Sequence, residues 1–238
     1  MKVVLFANTE WYLYNFRRSL AFALRDAGHE VLLLSPPGPY GEKLRALGFR
    51  WLPAPMERLS LNPLRELALV NWLRGLVREE QVDLVHGFTI KCAVYGSLAA
   101  RLGGVPARVN AVAGMGYVFS SNDLKAKVLR PVVRAMMHVA LGGRSARLVL
   151  QNPDDVAFFQ RARVVDPATI RLIPGSGVDC RRFAPDGARQ RGARFRVVLP
   201  ARLLWDKGVA EYVEAARRLR AIAGVLTACA DALVGQED

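Results

Sequence analysis

The chain has 238 residues, 52% of them hydrophobic, enough for one medium domain with a real core plus a second piece. Its net charge is +13, but only 6 of its 34 basic residues are Lys and no basic run reaches five. A nucleic-acid footprint clusters such charges on one element among aromatic residues, so nucleic acid is set aside in favour of an anionic membrane surface or a diphosphate-bearing substrate.

Cys92, Cys180 and Cys229 are far apart and odd in number, with no metal-ligand spacing, and read as free thiols in a reducing compartment. The apolar start, MKVVLFANTE, is too short for a signal peptide and reads as a buried strand. No run of 18 apolar residues exists to cross a membrane.

Strand-like and helix-like segments then alternate. Strand Val3 to Ala7 is followed by a helix with Phe16, Leu20, Leu24 and Ala27 on one face, ending at Gly28. Strand Val31 to Ser35, a short helix from Gly41 to Leu47 and strand Phe49 to Leu52 follow. Next come helix Leu64 to Glu80, strand Val82 to His86 and helix Ala93 to Leu102. Strand Arg108 to Val112, helix Leu124 to Leu141 and strand Arg147 to Gln151 continue the series, and helix Asp154 to Arg161 and strand Ile170 to Ile173 complete it. Continuous apolar strands alternating with helices predict an α/β fold with a doubly wound parallel sheet covered on both faces. From Ile173 the stretch IPGSGVDCRRFAPDG breaks any element, and Gly175-Ser176-Gly177 reads as a hinge. Strand Arg196 to Leu199 and an amphipathic helix through Val209, Tyr212, Val213, Ala216 and Leu219 then open an incomplete second α/β domain. The expected division is 1–185 for the first domain, 186–195 for a linker and 196–238 for the fragment.

Ligands of such sheets bind at the carboxyl ends of the strands, which singles out several residues. Asn8, Thr9 and Glu10 follow the first strand. His86 ends a strand and precedes Thr89 and Lys91; either its imidazole serves a ligand or it bonds a neighbouring loop. Gly114 and Gly116 allow close backbone approach to a phosphate, although a plain turn accounts for them too. On the helix Leu124 to Leu141, Pro131 should introduce a kink or mark the true start, and the apolar rows lie either on the sheet or against anionic lipid. Arg202 and Lys207 follow the strand of the second domain and stand before a helix start at Gly208, a good arrangement for a diphosphate.

The segments IPGSGVDCRRFAP and VVLPARLLWDKGVAEYVEAARRL resemble the interdomain junction and donor-domain opening of glycosyltransferase family 4, retaining enzymes of the GT-B fold. ALRDAGHEVLLLS, VDLVHGFTIKCAVYGSLAARLGGVP, NAVAGMGYVF and LVLQNPDDVAFF are similar to members that extend undecaprenyl-diphosphate-linked saccharides for surface polysaccharide or glycan assembly. The resemblance implies an acceptor-binding N-terminal domain, a UDP-sugar donor, a lipid-linked saccharide acceptor and no cofactor or metal. It also implies a peripheral location on the cytoplasmic membrane face. Arg202 and Lys207 match the family's donor-diphosphate cations. Asn8, Thr9, Glu10, Thr89, Lys91, Gly114 and Gly116 fall on the acceptor side. The family's frequent T-x-H-G is here Ala111-Val112-Ala113-Gly114, which moves the catalytic assignment to His86. Its frequent glycine pair is here Asn8-Thr9-Glu10-Trp11. The family's paired glutamates would lie beyond Asp238, so the expectation is a truncated, inactive chain; the alternative is a non-catalytic remnant that binds the acceptor or membrane.

Overall fold

A computed structural model describes residues 1–58, 60, 62–112, 124–185, 195–201, 205–219 and 225–228. The chain divides into two compact units, Met1–Asp179 and Cys180–Asp238.

The first unit is built on seven strands: β1 (Lys2–Phe6), β2 (Glu30–Ser35), β3 (Arg50–Pro53), β4 (Leu84–Phe88), β5 (Ala107–Val112), β6 (Ala146–Leu150) and β7 (Ile170–Leu172). They form one wholly parallel sheet in the order β3-β2-β1-β4-β5-β6-β7. Parallel neighbours require long crossovers, and helices supply them. Helix α1 comprises Glu10–Tyr12, a π turn Leu13–Arg17 and Arg18–Asp26; α2 is Tyr40–Ala46 and α3 is Pro63–Glu79. Helix α4 is Thr89–Gly103, α5 is Leu124–Leu141 and α6 is Pro153–Arg161.

Both faces of the sheet are buried, which is why its strands read as unbroken apolar runs. Val4, Phe6, Leu32, Leu34 and Val85 pack under α3 and α4, against Leu69, Leu73, Val77 and Cys92. Val3, Leu5, Val31, Leu33 and Phe88 pack on the other face against Leu13 and Ala21 of α1 and Leu44 of α2. A third cluster joins Ala93 and Val94 of α4 to Met137, Ala140 and Leu141 of α5 and Phe159 of α6. Asn62 and Asn152 cap α3 and α6, accepting from Leu64 N at 3.0 Å and Asp155 N at 2.7 Å, each followed by a proline at the first helical position.

The predicted alternation is the observed one. Helix α5 spans the predicted range with Pro131 inside it. Its apolar side lies partly in the core at Met137, Ala140 and Leu141, while Val132 and Val139 are 57% and 52% exposed. Strand β4 runs to Phe88 rather than ending at His86, and α4 starts at Thr89 rather than Ala93. Gly87 permits this, since an added Cβ would meet Ala93 Cα at 2.7 Å and Cys92 O at 2.8 Å. No connecting loop separates strand from helix.

The second unit contains β8 (Phe195–Val198), a short 3-10 turn Trp205–Lys207, helix α7 (Val209–Leu219) and β9 (Val225–Ala228). Strand β9 was not expected. It pairs in parallel with β8, Phe195 opposite Val225, and Tyr212 Oη donates to Val197 O at 3.0 Å. This is a β-α-β unit rather than one strand and one helix.

At the amino edge of the large sheet, Glu80 accepts from both terminal nitrogens of Arg50 at 2.6 and 2.8 Å and pairs with Lys2 at 3.1 Å. The cluster ties β3 and β1 to the end of α3. The Arg50 guanidinium and Lys2 lower the Glu80 carboxyl to about 2. Because the folded value is depressed, this stabilisation is present above the ordinary carboxylate range and is lost as pH falls from about 4.5 toward 2. Glu80→Gln should cost about 1 kcal/mol at pH 7, a drop of ~2–4 °C in Tm, and should flatten the acid loss between pH 4.5 and 2. Thermal melts across that window check this; equal slopes in both proteins would show that the cluster contributes nothing.

Candidate functional site

The strand order reverses between β1 and β4, and at that point the crossovers leave toward opposite sides of the sheet. The carboxyl ends of these two strands therefore border a crevice that neither crossover covers.

From β1 the chain passes Asn8 to Thr9, which is extended (φ −152°) and whose Oγ1 accepts from Tyr12 N at 3.1 Å. Thr9 is thus the cap of α1. Glu10 follows, 6% exposed. Gly38 closes on it so nearly that a Cβ there would stand 2.1 Å from Glu10 Oε1. Asn8 is half-buried and its side chain makes no hydrogen bond among the described residues.

The π turn then changes which residues face inward. A π turn holds one residue more than an α turn and so shifts the helical phase. Phe16, expected on the buried face, is 44% exposed, whereas Arg17 is only 8% exposed. The Arg17 guanidinium lies 4.5 Å from the centre of the Phe88 ring and 5.1 Å from that of Tyr12. Its Nη2 donates to Tyr12 Oη, and its Nε is buried without an acceptor.

His86 stands in β4 opposite Leu5 and Val109, two residues before the strand ends. Its ring lies on that of Phe88, centroids 4.2 Å apart, so His86 and Arg17 flank the same phenyl group. The ring is half-buried, and its Nε2 is buried without a partner. Burial, with help from the nearby Arg17 charge, pushes His86 down to about 3. The imidazole is therefore neutral near pH 7: a hydrogen-bonding group and a weak base.

Thr89 turns the chain from β4 into α4 with φ +68°, a backbone region that β-branched residues avoid. Its Oγ1 is buried without a hydrogen bond and lies toward Cys92, whose thiol burial pushes up to about 12, leaving it inert. Lys91 is held by the protein itself: Nζ donates to Glu57 O at 2.6 Å, Ser60 O at 3.0 Å and Glu66 Oε1 at 2.8 Å. In this arrangement all three ammonium protons have protein acceptors. Lys207, in the second unit, is exposed at the end of its 3-10 turn. Gly114, Gly116 and Arg202 lie outside the described residues. Among the described residues no group of three His, Cys, Asp or Glu side chains could hold a metal ion.

The family described as "Glycosyl transferase 4-like domain" matches residues 15–176, more than half of the chain. The chain belongs to this family. Within it, the chain is 26% identical over 219 residues to the Campylobacter jejuni N,N'-diacetylbacillosaminyl-diphospho-undecaprenol alpha-1,3-N-acetylgalactosaminyltransferase, covering 87% of this chain and 58% of that protein. It is 30% identical over 126 residues to the Escherichia coli UDP-Gal:alpha-D-GlcNAc-diphosphoundecaprenol alpha-1,3-galactosyltransferase, covering 53% of this chain and 31% of that one. The chain thus spans about 58% of the length of the first of these relatives.

The fold is also that of solved structures. A glycosyltransferase from Rickettsia africae superposes with a TM-score of 0.63 at 14% identity, over 97% of this chain and 68% of the other. The Anabaena protein HepE, in complex with UDP and glucose, superposes with a TM-score of 0.67 at 18% identity, over all of this chain and 63% of its own. The seven-stranded parallel sheet of this glycosyltransferase 4-like chain is that of a GT-B N-terminal domain.

The structure pairs β1 with β4, so that the residues following β1 and the His86 strand end at the same edge, and it adds Arg17 beside Phe88. An Arg at an apolar position of the helix was the available signal, but only the π turn places it inward. Two outcomes check this geometry. Ring NMR signals of His86 should stay those of neutral imidazole at pH 5; titration near pH 6.5 would overturn the buried, Arg17-facing placement. Gly87→Ala should destabilise the protein by about 1–3 kcal/mol in denaturant melts, because the methyl would press on the backbone of α4.

Proposed function

We propose, against the expectation of a truncated, inactive chain, that this glycosyltransferase 4-like chain transfers a sugar from a UDP-sugar to a saccharide carried on a lipid diphosphate, with retention, for surface glycan assembly. The observation that carries the reading is the crevice at the β1–β4 reversal, where a guanidinium without a carboxylate partner among the described residues and a neutral imidazole both pack on Phe88. It is supported by two relatives whose names specify undecaprenol-diphosphate acceptors. The first unit is the acceptor-binding half in this reading. In the second, Arg202 and Lys207 hold the donor diphosphate and stabilise it as the sugar–phosphate bond breaks, an effect worth several kcal/mol in preorganised sites. His86, neutral near pH 7, orients an acceptor group rather than carrying charge.

The acceptor lipid places the work at a membrane surface. No helix among the described residues is long and apolar enough to cross a bilayer. In this reading, contact is peripheral and on the cytoplasmic face. The sheet-facing side of α5 is occupied by the core, so a better contact is the start of α3. There Leu64 and Leu67 are 77% and 67% exposed, with Arg65 between them and Arg58 nearby in sequence. Leucines that enter the interface beside arginines that meet anionic headgroups make a modest, salt-sensitive anchor.

Two measurements test the reading. Radiolabelled UDP-sugars incubated with the protein and isoprenyl-diphosphate-linked amino sugars should yield labelled lipid, with Lys207→Ala lowering kcat/KM at least tenfold. Incorporation that is indifferent to Lys207 would remove it from the donor site, and no incorporation with any donor would overturn the activity. In vesicle sedimentation, the chain should be recovered with anionic rather than neutral lipid, and Leu64→Glu with Leu67→Glu should reduce recovery several-fold. Equal recovery with both lipids would refute electrostatic membrane contact.

A further inference from the structure

We infer that Arg17 is an anion anchor that, with His86 Nε2, takes a phosphate oxygen of a diphosphate group at the carboxyl edge of β1 and β4. The inference rests on the proposed function only for the diphosphate's source; the site itself rests on the geometry.

Buried cations elsewhere in this chain have their acceptors. Arg108, 4% exposed, donates to Ala140 O at 3.3 Å and Gly142 O at 3.2 Å, the last carbonyls of α5. Lys91 has three acceptors, one of them a carboxylate. Arg17 has one neutral acceptor, the Tyr12 hydroxyl, and no carboxylate partner among the described residues. A guanidinium carries five N–H donors, so most of its capacity is unspent. Burying a charge without compensation costs several kcal/mol, and structures rarely keep such a group without a use for it.

The surroundings fit an oxyanion. Phe88 and Tyr12 hold the guanidinium by cation–π contact, and of its edge donors only Nη2 is engaged, by the Tyr12 hydroxyl. A planar fork suits phosphate oxygens, which accept two parallel hydrogen bonds. The second orphan, His86 Nε2, belongs to a ring that also packs on Phe88, and it donates in the tautomer that carries its proton there. The π turn is what aims Arg17 here; in an unbroken α-helix its direction would fall elsewhere on the wheel. The ligand class is a diphosphate ester, whether from a nucleotide or from a lipid carrier.

The test uses the whole chain with inorganic pyrophosphate, farnesyl diphosphate and UDP as probes, read by calorimetry and by the His86 ring signals. Pyrophosphate and farnesyl diphosphate should bind and shift those signals. Arg17→Met should weaken both about 10–100-fold, the loss expected for one or two charged hydrogen bonds. Without ligand its Tm should equal or exceed that of the wild type, because an uncompensated charge has been removed. Arg17→Lys should recover part of the affinity. Unaltered affinity in Arg17→Met, or a lower Tm with unaltered affinity, would overturn the inference and leave Arg17 a packing residue. Should Arg17→Met fail to fold, the wild type decides: pyrophosphate that leaves the His86 ring unmoved overturns the site. Arg17-dependent binding of farnesyl diphosphate above UDP assigns the lipid carrier as the source. Arg17-dependent binding of pyrophosphate and UDP, with none of farnesyl diphosphate, keeps the anion site and removes the lipid-acceptor reading.

Discussion

The site depends on the reversal of strand order between β1 and β4. The chain leaves β1 through α1 to reach β2 on one side, then returns through α3 to place β4 on the other. Right-handed crossovers put α1 and α2 on one face of the sheet and α3 and α4 on the opposite face. The start of α1 and the start of α4 therefore flank the same gap from opposite faces. Glu10 and Thr89 open those helices.

Within that gap the chemistry follows from what is and is not compensated. The ion cluster of Glu80, Arg50 and Lys2 at the amino edge is mutually satisfied and holds strands together. Arg108 meets the carbonyl end of α5, where the helix dipole favours a cation. At the carboxyl edge Lys91 is paired with Glu66, but Arg17 has no carboxylate partner among the described residues, and burial, helped by the Arg17 charge, lowers the basicity of His86. One edge of the sheet is thus electrostatically closed and the other left open. In a doubly wound sheet the open edge is the one that receives ligands.

Most of the architecture was legible because buried parallel strands leave an unmistakable pattern. VLLLS is buried on both faces and cannot be an amphipathic helix, and Gly/Pro punctuation bounded nearly every element. The misplacements share one cause. Thr89 and Gly87 join β4 directly to α4, a joint that depends on backbone approach and positive φ rather than on side-chain type. The π turn shifts the phase of α1, so a 3.6-residue period placed Phe16 inside and left Arg17 out. Lys91 looked available because its partners, Glu57, Ser60 and Glu66, are 25 to 34 residues away.

The side chains around Phe88 are set by regular elements. His86 is fixed by strand pairing on both sides, through Leu5 and Val109. Phe88 is fully buried at the strand end and serves as the wall for both neighbours. Arg17 leaves a helix whose start is capped by Thr9 and whose body is packed through Leu13 and Ala21. Each polar group thus projects from a regular element, where position varies less than on loops. The costs sit in the same place: a β-branched residue at positive φ, an interrupted helix and a buried charge lacking its counter-ion. Among the described residues, the buried unsatisfied polar atoms and the β-branched residue at positive φ gather at the carboxyl edge, where the proposed site lies.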